Sequence, residues 1–450
     1  MSFRRIPETI SILLVLIAAC AVSQAQSPAM SQGGENRVIT SSDRKAIVDS
    51  VGALLERMYV FPEKAKEAAK ALRNNLGARQ YDDLDKIAPF AERLTEDLRK
   101  VTGDGHLWVE PADEPPVNQQ DTLNPEENRR ARFEYAKGAN FGFKKVEILP
   151  GNIGLLVLQN FYEADIAAPT AIAAMNFLAH CKALIIDLRQ NGGGDNTMIQ
   201  LLTSYFFNEP VHLNSFYSRL TDSITQFWTQ AQVEGPRMAN TPIYVLTSKG
   251  SFSAAEEFVY NLKNLHRAKL VGETTGGGAH PNDLVHFPNL RINVSVAWGR
   301  AINPITGTNW EGTGVTPDLQ VPADKALATT RIMILDSLLK MEPDSLKQRQ
   351  MEWWRSALIY DTMQYSVAIE KLQEYAGQYG PRRIWLENGV LWYQREQNPN
   401  VRLIPLEADL FQHSASEYFR VKFIRDESGN VVELIGIYGQ GHTDSNRRDG

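Results

Sequence analysis

A serine at a strand-to-helix turn is the first group in this chain that could do covalent chemistry. The segment Thr247-Ser248-Lys249-Gly250-Ser251-Phe252-Ser253-Ala254-Ala255-Glu256-Glu257-Phe258 follows the apolar run Ile243-Tyr244-Val245-Leu246 and leads into a helical pattern through Tyr260 and Leu262. Such a turn exposes the Ser253 hydroxyl. The first backbone N–H groups of the helix, that of Ala254 among them, have no partner within it and point where an oxyanion would develop. That arrangement suits a nucleophile in acyl transfer. Ser253-x-x-Glu256 also spells a capping box, in which the hydroxyl merely satisfies a helix N–H. The spacing alone leaves both readings open.

A second segment could serve the first. Ile185-Ile186-Asp187-Leu188-Arg189-Gln190-Asn191-Gly192-Gly193-Gly194 runs from an apolar strand into glycines whose amides can approach a ligand with no Cβ in the way. Gly193 is the candidate for a second oxyanion donor, and a plain tight turn is the alternative. A phosphate loop finds no support, because no Gly-Lys-Ser/Thr follows and the GxGxxG pattern is absent. Asp187 and Arg189 read as a structural ion pair. Cys181, beside the strand Ala183-Leu184-Ile185-Ile186, reads as a small buried apolar residue and not as a catalytic thiol. His280 and His286 flank a glycine-rich stretch, but two histidines five residues apart without further partners give no metal site. They are assigned structural or substrate-edge positions.

The elements that must hold these groups follow from periodicity. Residues 36–112 are expected to form a helical N-terminal domain, since Ile47, Val51, Leu54, Leu55 and Met58 recur at helical spacing. Residues 113–135 lack apolar periodicity and carry Pro115, Pro116 and Pro125, so they are expected to be a linker or mobile loop. Over 136–325 short apolar runs at Ile153 to Leu158, Ala183 to Leu188, Ile243 to Thr247 and Leu270 to Gly272 alternate with helical stretches, the pattern of a parallel α/β core. Residues 326–375 read as a helical connector through Ile332, Leu335, Leu338 and Leu339. Residues 376–442 read as a small β domain of hairpins, broken at Glu387-Asn388-Gly389 and Glu427-Ser428-Gly429-Asn430. Trp385, Leu391, Trp392, Tyr393, Phe411, Phe419 and Phe423 are taken as its core.

Composition narrows the function classes. The chain has 450 residues, 43% of them hydrophobic, enough for two or three cored domains. A formal net charge of -6 and the lack of any long Lys or Arg run exclude the electrostatic footprint of nucleic-acid binding. Residues 1–25 place Arg4 and Arg5 before an apolar run and then small residues, the order of a secretory signal with cleavage after Ala25. Ile17-Ala18-Ala19-Cys20 also resembles a lipoprotein box, with Cys20 as a lipid anchor. The apolar stretch is shorter than the ~20 residues of a membrane span, so an exported chain without an integral span is expected, periplasmic or extracellular. Either cleavage leaves Cys181 as the only other cysteine, so stability must come from packing and not from an internal disulfide. Nothing in the sequence speaks to oligomeric state.

Asp187-Leu188-Arg189-x-Asn191-x-Gly193-Gly194, Ser253-Ala254-Ala255-Glu256 and Val271-Gly272-Glu273-Thr274-Thr275-Gly276-Gly277, in this order, resemble the hallmark segments of the tail-specific, or carboxyl-terminal processing, serine protease superfamily. The resemblance covers roughly residues 100 to 325. It implies a crotonase- and Clp-protease-like spiral of βαβ units, peptide or unfolded-protein substrates, and no metal or organic cofactor. The superfamily's Ser-Lys branch places a lysine where this chain reads Gly276-Gly277-Gly278-Ala279-His280, and inserts a PDZ domain for which the interval after His106 is too short. The branch similar to the tricorn core and to the retinoid-binding modules uses a histidine base and a glutamate. On that likeness His106, in Thr102-Gly103-Asp104-Gly105-His106-Leu107, is the implied general base and acid. Glu311, in Trp310-Glu311-Gly312-Thr313-Gly314-Val315-Thr316-Pro317-Asp318, is its implied support. Two departures stand out: Gly105 replaces the serine that relays to the glutamate, and Ala254 replaces an acidic residue after the nucleophile. Glu311 would then act directly, through water, or through another hydroxyl such as Ser251. The same fold can also carry apolar ligands without catalysis.

Overall fold

The computed structural model describes residues 37–112, 125–363 and 365–449. The expected signal segment, the Cys20 anchor and the first part of the expected linker lie outside them. Two compact units divide the chain: one takes in everything described up to Ile148 together with Gly154–Ala323, the other Leu149–Ile153 together with Asp324 onward.

The first unit opens with three helices, α1 (Ser41–Met58), α2 (Pro62–Gly77) and α3 (Ile87–Thr102). Thr40 caps α1: its hydroxyl accepts the Asp43 N–H while the Asp43 carboxylate accepts the Thr40 N–H. Proline at the first position starts α2, and Gly103 in a left-handed conformation (φ 71°) ends α3. The chain then turns through His106 into strand β1 (Trp108–Pro111). The helices do not close a core by themselves. Val51, Leu55, Phe90 and Leu94 pack in one cluster with Ile292, Val294 and Val296, so a hairpin from far along the chain completes the helical layer.

Residues 125–135 differ from expectation, because they belong to helix α4 (Pro125–Gly138) and not to a loop. Glu126 and Glu127 in its first turn and Lys137 in its last complement the helix dipole. Among the described side chains of this helix only Ala136 is buried, so periodicity has no apolar stripe to reveal.

The α/β part continues with β2 (Phe143–Leu149), β3 (Ile153–Leu158), α5 (Ala164–Leu178), β4 (Ala183–Asp187), α6 (Asn196–Ser204), β5 (His212–Ser218), β6 (Ser223–Trp228), β7 (Ile243–Thr247), α7 (Ala254–Asn264) and β8 (Ala268–Gly272). After these come β9 (Asn282–Phe287), β10 (Ile292–Ala297), β11 (Gly299–Ile302) and β12 (Leu319–Gln320). A six-stranded sheet has the order β12-β8-β7-β4-β3-β2, and β4, β7, β8 and β12 run parallel. All five residues of β4 are buried, as befits a strand covered on both faces. This is the α/β core of βαβ units that the sequence leads one to expect. Its consequence for the site is geometric: the segments that follow β4, β7 and β8 leave adjacent parallel strands at the same edge, so Gly193, Ser253 and the glycines at 276–278 are neighbours. The β1-β10-β9 sheet brings the turn before β1, and with it His106, to the core that β10 shares with the helices.

The second unit holds most of α8 (Ala323–Met341), then α9 (Ser345–Met363) and α10 (Ile369–Glu374), followed by eight antiparallel strands in sequential order, β13 (Gly377–Tyr379), β14 (Arg382–Glu387), β15 (Val390–Arg395), β16 (Val401–Glu407), β17 (Leu410–His413), β18 (Phe419–Arg425), β19 (Val431–Tyr438) and β20 (Thr443–Arg447). Tyr393, Phe411, Phe419 and Phe423 enter its core with Tyr375 and Tyr379. Trp385 and Trp392 do not, contrary to expectation: they face each other across β14 and β15, partly exposed, with near-parallel rings 6.3 Å apart. The period-two alternation of a strand puts them on the face opposite Ile384 and Leu391.

Candidate active site

Ser253 precedes α7 with φ 55° and ψ -120°, a backbone conformation that a residue with a side chain seldom adopts. Such a residue costs on the order of 1–3 kcal/mol and persists only when its surroundings hold it. They do so here by several bonds. The Phe252 N–H donates to the Asn191 carbonyl (3.0 Å), the Gly276 N–H to the Ser251 carbonyl (2.9 Å), and the Ser253 N–H to Glu256 Oε2 (3.0 Å). Glu256 is fully buried and also accepts the Gly277 and Gly278 N–H groups, each at 2.7 Å, and the Thr275 hydroxyl. Burial pushes its carboxyl up to about 7, against those hydrogen bonds. The glutamate of the Ser-x-x-Glu pattern is thus more than a cap: it fastens the glycine strand to the serine turn.

Gly193 is the neighbour on the other side. Its φ is 114°, and a Cβ there would lie 2.7 Å from Ser253 Cβ and 3.0 Å from the Ala254 nitrogen. Only glycine permits this approach. The Gly193 N–H donates to Asn191 Oδ1 (2.9 Å), and Asn191 is held in turn by a bond from its Nδ2 to the Leu158 carbonyl (3.0 Å). The oxyanion role expected of Gly193 therefore meets an engaged amide, which must leave or share its partner to serve. Sequence could not show this, because it depends on the side-chain rotamer of Asn191.

His106 sits in the turn after α3, ordered by its own N–H donating to Asp104 Oδ1 (2.9 Å) and by the Ser295 hydroxyl donating to its carbonyl (2.6 Å). The residue is 4% exposed. Among the described residues neither ring nitrogen has a hydrogen-bond partner. Burial lowers the imidazole pKa to about 4, with Asp104 opposing the shift. Its ring packs on Phe252, with centroids 4.8 Å apart, and a Cβ added at Gly105, Gly276 or Gly278 would meet the Phe252 ring at 3.6, 2.7 and 2.3 Å. The implied base thus stands against the residue next to Ser253, while its nitrogens make no bond to the serine.

Glu311 accepts the Ala279 N–H at Oε2 (2.6 Å) and the Gly105 N–H at Oε1 (3.3 Å). Burial, together with the Asp104 charge, pushes its carboxyl up to about 7. His280 lies between the two acids, with Nδ1 2.8 Å from Asp104 Oδ2 and 3.4 Å from Glu311 Oε2. One ligand atom each from Asp104, His106 and Glu311 lie within 4.8 Å of one another. Of the two positions expected for His280 the structural one describes it: it is a buried partner of both acids. Asp104 carries no role in the sequence reading, and His280 carries only a structural or substrate-edge one. Asp104 two residues before His106 carries the signal of a side chain ordering its own turn, whereas the pairing of His280 across 176 positions has none. A cavity of about 460 Å³ opens beside this cluster, lined by Phe61, Lys64, Thr102, His280, Arg300 and Glu311 among others.

Ser251 does not link Glu311 to His106, because its hydroxyl donates to the Leu188 carbonyl (2.7 Å) and accepts the Ser248 N–H. Arg189 pairs with both oxygens of Asp187 (2.9 and 2.6 Å) and donates to the Ala323 carbonyl, a structural clamp. His286 pairs with Asn293 (2.6 Å), away from the cluster. Cys181 is buried and free.

Residues 152–321 match the family model described as peptidase family S41, and residues 37–148 match the one described as the N-terminal domain of peptidase S41 in eukaryotic IRBP. Among solved structures, a candidate peptidase from Parabacteroides merdae ATCC 43184 is 19% identical, with 63% of this chain and 90% of that one covered at a TM-score of 0.42. The photosystem II D1 C-terminal processing protease is 16% identical, with 64% and 94% covered at 0.39. The tricorn protease is 13% identical, with 63% and 34% covered at 0.40. Among the described residues no helix is long and apolar enough to cross a membrane.

Proposed function

We propose, from the premise that this chain belongs to peptidase family S41, that it is an exported serine peptidase working through an acyl-enzyme, with Ser253 as nucleophile, His106 as general base and acid, and Glu311 in support. The observation that carries the reading is Ser253 itself, held at positive φ with Gly193 packed against its Cβ and the first amide of α7 beside it. A hydroxyl that merely capped a helix would have no need of that strain.

In this mechanism Ser253 Oγ bonds to the scissile carbonyl carbon and its proton passes to His106. The carbonyl oxygen, now an oxyanion, is met by the Ala254 N–H, and by the Gly193 N–H once Asn191 yields it. The C–N bond breaks as His106 returns the proton to the leaving amine. Water then attacks the ester by the same route and releases the acid. His106 must first reach Ser253, which requires the imidazole to leave its place against Phe252, a movement that substrate binding would have to drive. Export is supported by the charge, apolar and small-residue order of residues 1–25, with a lipid anchor at Cys20 as the alternative.

A fluorophosphonate probe tests the reading directly, because it modifies only an activated serine. Labelling of the wild type that vanishes in Ser253→Ala, with a modified peptide containing Ser253, is the expected result. Well-folded protein that does not label would turn the assignment to a non-catalytic module for apolar ligands, which the match of residues 37–148 to the IRBP-type domain favours as the second reading.

A further inference from the structure

We propose that Asp104, His106 and Glu311 form a site for a divalent transition metal of the Zn²⁺ class, and that its occupancy silences Ser253 by holding His106 out of reach. Two separate observations meet here. The donor atoms converge: a ring nitrogen of His106 and one carboxylate oxygen from each acid lie within 4.8 Å of one another. The imidazole they face is 4% exposed and has no partner on either nitrogen among the described residues. A buried polar atom left unpaired is costly, and an ion is one of the few occupants that removes that cost.

The chemistry of the donors selects the ion. One imidazole and two carboxylates suit Zn²⁺, Co²⁺ or Mn²⁺ better than Ca²⁺, which asks for six or more oxygens. Tetrahedral Zn²⁺ with bonds near 2.0–2.2 Å sets its ligands about 3.3 Å apart, so the cluster needs to contract by about 1.5 Å at most. The surrounding bonds orient the acids for this. Asp104 accepts from the His106 backbone and pairs with His280 Nδ1, while Glu311 accepts from Gly105 and Ala279. Such supporting bonds are characteristic of metal ligands. The cavity of about 460 Å³ lined by His280 and Glu311 provides an approach. One imidazole nitrogen bound to metal and fixed toward Asp104 and Glu311 keeps the ring from turning to Ser253, so metal binding and base function exclude each other.

The silencing half rests on the reading of Ser253 and His106 as nucleophile and base, whereas the binding half stands without it. The purified full chain, stripped with EDTA and dialysed, is titrated with Zn²⁺ in competition with a chromophoric chelator, and with Co²⁺ for its visible absorption. The expected result is one ion per chain, with affinity reduced at least tenfold in His106→Ala, Glu311→Gln and Asp104→Asn and unchanged in His286→Ala, circular dichroism verifying the fold of each. Absence of binding, or binding insensitive to all three substitutions, overturns the site. The fluorophosphonate labelling rate of Ser253 should then fall at least tenfold with Zn²⁺ bound and return on adding chelator. Undiminished labelling of the loaded protein overturns the silencing. A stripped protein that never labels refutes the nucleophile reading and the silencing with it, while the Zn²⁺ affinities still judge the site.

Discussion

The two halves of the site are built differently. Around Ser253 the polar backbone and side-chain groups that shape the turn are spoken for: Glu256 binds three backbone amides and a hydroxyl, Asn191 binds the Gly193 amide and the Leu158 carbonyl, and Ser251 binds the floor of the loop. Around His106 the acids are bonded but the imidazole, among the described residues, is not, and an aromatic ring lies against it. The Ser253 side is therefore held rigidly by its bonds, although the Gly193 amide must first be released by Asn191 before it could meet an oxyanion. The His106 side has a choice of partners, which is what a gate or an ion site asks of it.

The largest expected effects break the Ser253 side. Ser253→Ala should abolish fluorophosphonate labelling and lower peptide hydrolysis by at least ~10³-fold, while stability falls by no more than the ~0.5–2 kcal/mol of a lost N-cap. Retention of either signal would remove Ser253 from the mechanism. Gly193→Ala comes next, because its Cβ would meet Ser253 Cβ at 2.7 Å in a backbone of φ 114°. A destabilisation of about 2–4 kcal/mol in urea and a labelling rate down about a hundredfold are expected. A variant as stable and reactive as the wild type would mean that the loop shifts freely and that the close approach has no function.

Glu256→Gln sharpens the comparison. An amide at this position can accept fewer hydrogen bonds than the carboxylate and turns an N–H₂ toward backbone donors, so about 1–3 kcal/mol should be lost. The labelling rate should fall with it, since the same side chain holds Ser253 and Gly278. Phe252→Leu probes the other side and should act in the opposite sense on rate. Removing the ring that His106 rests on costs about 1–2 kcal/mol of packing, yet it should raise the labelling rate severalfold by freeing the imidazole. A rate that falls in proportion to stability would show that Phe252 supports His106 and does not restrain it.

These contrasts mark where sequence reasoning reaches. Parallel α/β structure was legible because β4 and β7 are unbroken apolar runs, and Ser253 and Gly193 because each follows such a run at a turn. Helix α4 was not, since a helix exposed on nearly all sides shows no periodicity. The hairpin of β9 and β10 falls within the stretch expected to be the α/β core because it lies there in the chain, although its apolar face is spent on α1 to α3. His106 and Glu311 rest on family order, and what surrounds them is long-range: His280 meets Asp104 across 176 residues, and only the fold brings them together. The Asn191 bond to Gly193 is local, but whether an asparagine two residues away accepts that amide is a matter of rotamer.

The smallest expected effect concerns the residue after Glu256. Glu257 is buried in α7, and that burial, with Asp195 adding to it, pushes its carboxyl up to about 8 against the neighbouring Asn214 and Asn261 side chains. The folded protein then keeps a proton on Glu257 that the unfolded chain, with an ordinary glutamate near 4.5, gives up. Where the native state binds the extra proton, stability falls as pH rises. The contribution is therefore fully present below about 4.5 and is lost progressively up to about pH 8. At 1.36 kcal/mol per unit the whole window is an upper bound, and relaxation of the site reduces it to about 1–3 kcal/mol. Glu257→Gln keeps the shape without the proton. Urea unfolding at pH 5.5 and 8.5 should show the wild type losing that much more stability than the variant between the two. Because Glu256 and Glu311 titrate in both proteins, the difference between the curves isolates Glu257. Parallel curves would mean that water or a hydrogen-bond partner already accommodates its charge, and that the nucleophile's helix is less dry than its burial implies.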